Sequence, residues 1–167
     1  MWDMTWLIAL LVALLTGLFG GTDTGPEPPL SPPPAWTVGS LAAGWGEDRT
    51  DRSDLGELPY APLLIETEAG RERFLDGLGD GLDTTALEAV DLDTHVLVAA
   101  AFHRCTESGS LFTDGTGRVW FAVTVGDESI DCYWSPVQLQ VWALDREVFQ
   151  GKEPAVTGAP WAGSDQG

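Results

Sequence analysis

The stretch HVLVAAAF, His95 to Phe102, is a near-continuous apolar run of strand length. A run that is apolar at every position, bounded by polar sequence and too short for a typical helix, predicts a central strand buried on both faces. The rest of the fold is read outward from it. Downstream, Ser110 to Thr113 and Arg118 to Val125 flank Asp114-Gly115-Thr116-Gly117. That tetrapeptide is turn chemistry, so the two arms predict a β-hairpin. In the second arm Val119, Phe121, Val123 and Val125 alternate with Trp120, Ala122 and Thr124. Val137 to Leu144 repeats the pattern, with Val137, Leu139, Val141 and Ala143 on one face and Gln138, Gln140, Trp142 and Leu144 on the other. Upstream, Pro62 to Ile65 is a short apolar strand. Thr67 is placed to cap a helix running to about Leu78, with Phe74, Leu75 and Leu78 on one face and Gly77, Gly79 and Gly81 ending it.

These elements predict an α+β domain over residues 58–150. It is a small antiparallel sheet of four to six strands with one or two covering helices, following an N-terminal hydrophobic segment. Two cysteines flank its strands, Cys105 just after the apolar run and Cys132 between the last two strands. In a chain exported to an oxidising compartment their default state is a disulfide. Closing a loop of about 28 residues contributes roughly 3.5 kcal/mol in the chain-entropy picture.

Charge narrows the partners. The 167 residues carry 26 Asp plus Glu against 8 Lys plus Arg, a net charge of −18. Nucleic acid and anionic membrane surfaces are repelled by such a surface, so neither is an expected partner. Lys152 is the one lysine; the other seven cations are arginines. The apolar content of 44% excludes wholesale disorder.

The ends of the chain read differently from its middle. Leu7 to Phe19, LIALLVALLTGLF, is uncharged and shorter than a spanning helix requires, so residues 1–21 read as a signal peptide or membrane anchor. Membrane contact is expected through this segment only. Residues 22–57 hold six prolines followed by acidic, Gly-rich sequence and read as a spacer, in which Trp36 and Trp45 either pack back on the domain, the favoured reading, or form a short contact motif. Residues 151–167 read as a disordered tail with Trp161 as its one sticky residue. Asp23-Thr24-Gly25 spells the aspartic-protease tripeptide, but it lies in the spacer and has no second copy.

Candidate sites are few. Asp91, Asp93 and His95 stand at i, i+2 and i+4, so in an extended segment they face one way, as metal ligands do. That spacing is the basis of one alternative, a small metal-dependent hydrolase; the other reading is a solvated strand entrance. Asp76, Asp80 and Asp83 resemble a calcium loop in composition and lack its order. Trp120 and Trp142 fall opposite the expected core face, and Trp134 lies nearby in sequence. They form either an aromatic platform for a sugar ring or a partner's apolar side chain, or a second core layer beneath a helix. His103 and Cys105 lack the further partner that a thiol nucleophile needs. No motif calls for a cofactor, and no residue is assigned a catalytic role.

From Asp91 onward, the run DLDTHVLVAA, then Cys105, a Gly-rich hairpin, Cys132 and the strand VQLQVWAL resemble small uncharacterised secreted or envelope domains of acidic-proteome microbes such as halophilic archaea. The resemblance covers about 60 residues and implies a fold type and an address, with no residue roles. Such domains commonly carry a lipobox cysteine after the leader; here there is none. The expected protein is a secreted or membrane-tethered binding or accessory module, its partner an envelope protein or an extracellular ligand. The further alternative is an envelope structural protein without a specific ligand.

Overall fold

The Asp114 carboxylate accepts hydrogen bonds from the Thr116 amide at 2.9 Å and its hydroxyl at 2.6 Å. Gly115 and Gly117 take φ of 73° and 82°, a region that glycine enters without steric cost. This turn closes the predicted hairpin. In the computed structural model, which describes residues 34–126 and 132–158, its arms are β5 (Glu107–Thr113) and β6 (Val119–Val125). Residues 1–21, expected as signal peptide or membrane anchor, the tripeptide at 23–25 and Trp161 lie outside the described residues.

The apolar run forms β4 (His95–His103), and every residue from Val96 to Phe102 is 3% exposed or less. Its neighbours are β3 (Leu63–Ile65) and β7 (Val137–Asp145), both antiparallel to it. Thr67 caps α1 (Glu68–Asp76), with the Gly70 amide donating to its Oγ1 at 3.2 Å. A one-turn helix, α2 (Thr85–Glu88), follows. The Arg71 guanidinium ties the two helical segments together by donating to the carbonyls of Leu87 at 3.1 Å and Val90 at 2.7 Å.

The α+β class holds, with strands predominating, but the single expected sheet is two four-stranded sheets. One has the order β2-β7-β4-β3 and the other β1-β5-β6-β8. Here β1 is Trp36–Val38, β2 is Ser40–Gly46 and β8 is Val156–Gly158. All pairings are antiparallel except β6 with β8, which is parallel. Between the sheets lie Val96, Val98 and Phe102 from β4 with Leu111 and Phe121 from the hairpin and Trp142 and Leu144 from β7. On the far side of β4, Leu97 and Ala99 pack with Ile65, Leu87 and Leu92, against Phe74 and Leu75 of α1. The layers are thus sheet, sheet and helix, which is why β4 and β7 are apolar on both faces.

Two expected boundaries give way. Residues 36–55, expected as spacer, hold β1, β2 and a 3-10 turn at Arg52–Leu55 whose Leu55 is fully buried. Gly39, at φ 78°, joins β1 to β2 and passes the chain from one sheet to the other; a Cβ there would stand 3.0 Å from the Ala143 carbonyl oxygen. Trp45 packs against the helix-side core, whereas Trp36 is half exposed over Gly115. Residues 156–158, expected in the tail, form β8 on the edge beside β6. Among the described residues no helix is long and apolar enough to cross a membrane.

Candidate functional site

Along β7 the face that buries Trp142 and Leu144 under the other sheet also carries Gln140 and Gln138. These two residues line a groove and are not part of the apolar core between the sheets. Gly44 and Gly46 of β2 lie opposite them in register, Gly44 against Gln140 and Gly46 against Gln138. Two amides and two glycines therefore floor an open groove of about 590 Å³.

The floor is held by a contact across the sheet. Gln138 is 8% exposed and donates from Nε2 to the Asp48 Oδ1 at 3.2 Å. A Cβ at Gly46 would overlap both partners, so the missing side chain makes room for this bond. Glu47 adds a second tie, accepting the Val137 amide at 2.9 Å. At the rim Arg49 pairs with Asp48 at 3.6 Å, its side chain 88% exposed.

The opposite wall is built where β4 ends. The Arg104 amide donates to the Pro136 carbonyl at 2.9 Å, and Cys105 is joined to Cys132 with Cα atoms 6.2 Å apart. That separation is ordinary for a disulfide. Glu107 folds its carboxylate back onto the amides of Cys105 and Thr106. The Cys105 amide, above all, holds that carboxyl below the usual range. Trp134, 57% exposed, stands on the same wall with Pro136. Just beyond it, His103 stacks on Tyr60 with ring centroids 6.1 Å apart.

Cations are scarce, and most are committed. Arg71 and Arg146 brace backbone carbonyls, Arg52 donates to the Tyr60 hydroxyl, Arg73 and Lys152 donate to carbonyls, and Arg118 pairs with Asp114. Among the described residues the Arg104 side chain has no hydrogen-bond or ion-pair partner. It lines the groove that Arg49 also lines. A fork of unengaged donors beside an exposed indole and two amides can hold a polar or anionic group against a flat face.

The structure separates the residues singled out in the sequence. Cys105 and Cys132 come together as expected, which also removes Cys105 as a nucleophile. Trp134 is on the groove. Trp142 is not available to a ligand: it is 5% exposed and packs on Phe121 at 5.4 Å, because both faces of β7 are covered. Trp120 lies on the outer face of the other sheet, half buried and stacked on Phe112 at 6.2 Å. The joint platform of Trp120, Trp134 and Trp142 is therefore absent.

The metal reading of Asp91, Asp93 and His95 loses its geometric basis as well. The segment is a turn, in which Asp91 accepts the Asp93 amide at 2.9 Å and the Thr94 hydroxyl at 3.2 Å. His95 makes its near contact with Thr94 Oγ1 at 2.9 Å. A turn does not align side chains at i, i+2 and i+4 as a strand does. Asp83 is likewise engaged as a local cap, accepting the Thr85 amide at 3.1 Å. Among the described residues no three His, Cys, Asp or Glu side chains are grouped to hold a metal ion.

Arg49, Arg104, Gln138 and Gln140 were not singled out in the sequence. The one available signal was two amides on an otherwise apolar strand. No protein-family model matches the chain, and comparison with curated proteins and with solved structures finds no match in either. The Cys105 to Cys132 bond fits an oxidising compartment.

Proposed function

We propose that this protein is an extracytoplasmic binding module, secreted or tethered by its N-terminal segment, that holds its ligand in the groove between Trp134 and the β2 edge. The observation that carries this reading is Arg104, a cation without a side-chain partner among the described residues of a chain of net charge −18, set beside an exposed tryptophan. An arginine and a tryptophan on one concave surface are the residue types that dominate binding energy. The address rests on the uncharged run from Leu7 to Phe19 and on the disulfide. The partner is an extracellular ligand or an envelope component; the surface charge disfavours nucleic acid.

A fragment screen on the isotope-labelled full chain tests the site. Amide shifts converging on Gly44, Gly46, Arg104 and the Gln140 side chain support the reading. Shifts that converge on another surface overturn it. Intact mass with and without reduction and alkylation, on protein recovered separately from medium and membranes, tests the address: free thiols throughout would overturn it.

A further inference from the structure

We infer that the groove recognises an acidic sugar, a pyranose unit bearing a carboxylate; this inference rests on the binding-module reading. The argument begins with charge. Arg49 and Arg104 line the groove, and among the described residues its one acidic side chain, Asp48, is already engaged by Gln138 and Arg49. The lining is therefore locally cationic in a chain that carries 26 acidic residues. One unengaged guanidinium matches one monoanion, and its planar fork fits a carboxylate through two parallel hydrogen bonds.

The remaining lining matches the rest of a sugar ring. The exposed Trp134 indole has an apolar face suited to the axial C–H side of a pyranose. Gln140 presents an amide, which both donates and accepts as ring hydroxyls do, while Gln138 is spent holding the floor to Asp48. Gly44 leaves the β2 backbone uncovered at the floor, so a flat ring can approach it closely. Among the described residues Leu41 and Pro136 are the only aliphatic side chains of the lining, which gives an acidic peptide few apolar footholds.

The test is calorimetric titration of the full chain with trigalacturonate, with its fully methyl-esterified form, and with triglutamate. Trigalacturonate is expected to bind, and the methyl ester about tenfold more weakly or worse, because esterification removes the anion and keeps the ring. Arg104→Gln and Trp134→Ala are each expected to weaken trigalacturonate about tenfold, with Arg104→Lys recovering part of the loss and urea midpoints unchanged. The inference is overturned if the methyl ester binds as well as the acid, if triglutamate matches trigalacturonate, or if no probe binds. In each of these cases fragment shifts that still converge on Gly44 and Gln140 keep the groove as a binding site; shifts elsewhere remove both.

Discussion

Gln138 and Asp48 stand ninety residues apart in the chain and meet at the end of the groove, Nε2 donating to Oδ1 at 3.2 Å. Gly46 is what lets them do so. Gly46→Ala places a methyl where the amide and carboxylate lie, and forced overpacking of this kind costs about 1–3 kcal/mol. Gly44→Ala is the control: its Cβ would meet Gln140 Cγ at 3.5 Å, ordinary contact, and should leave stability within about 0.5 kcal/mol. Urea midpoints at unchanged slope measure both, and equal effects would refute the steric account.

The bond from Cys105 to Cys132 closes a separation of 27 residues that contains the whole hairpin. Replacing both cysteines by serine releases that loop in the unfolded chain, at a cost of about 3.5 kcal/mol. The expected result is a large fall in urea midpoint, and the reduced native sequence should fall similarly. A shift under about 1 kcal/mol would mean that the unfolded chain is already constrained there.

Trp142 and Trp120 occupy opposite environments, and truncation separates them. Trp142→Ala opens a cavity between the sheets beside Phe121 and is expected to cost about 3–5 kcal/mol. Trp120→Ala loses a half-buried stack on Phe112, at most about 2 kcal/mol. Thermal melts in parallel decide it. If Trp120→Ala proves the more damaging, the outer face of its sheet is covered in the native protein.

Acid should loosen the turn at Cys105. The Glu107 carboxyl is depressed in the folded state, chiefly by the Cys105 amide, so its contribution is present above the unfolded value near 4.5 and is lost as pH falls through the folded value. Glu107→Gln should therefore lower stability at neutral pH and flatten its decline below about pH 4.5. Asp51, Asp83 and Asp114, held low by Ser53, Thr85 and Thr116, keep part of the decline in place. Melting temperatures from about pH 7 to about pH 3 give the comparison; parallel curves for variant and native protein would refute the role of Glu107.

Strands whose signal is local were legible from the chain alone. His95 to Phe102 is a strand because apolarity at every position suits a surface covered on both sides, and the hairpin follows from Asp114-Gly115-Thr116-Gly117 between alternating arms. Thr67 marks the start of its helix because its hydroxyl satisfies an amide three residues on. The pairing of Cys105 with Cys132 needed only the count of cysteines and a compartment.

The remaining features depend on partners distant in the chain. Ser40 to Gly46, SLAAGWG, has small residues and weak strand propensity, and becomes β2 because β7, about a hundred residues later, supplies its hydrogen bonds. Alternation placed Trp142 opposite Val141 correctly, but a period of two assigns a side chain to a face without saying what covers that face. Trp142 packs in the core between the sheets whereas Gln138 and Gln140 on the same face line a groove, and that difference, invisible in the strand's own sequence, turns one face of β7 from core into the floor of a groove.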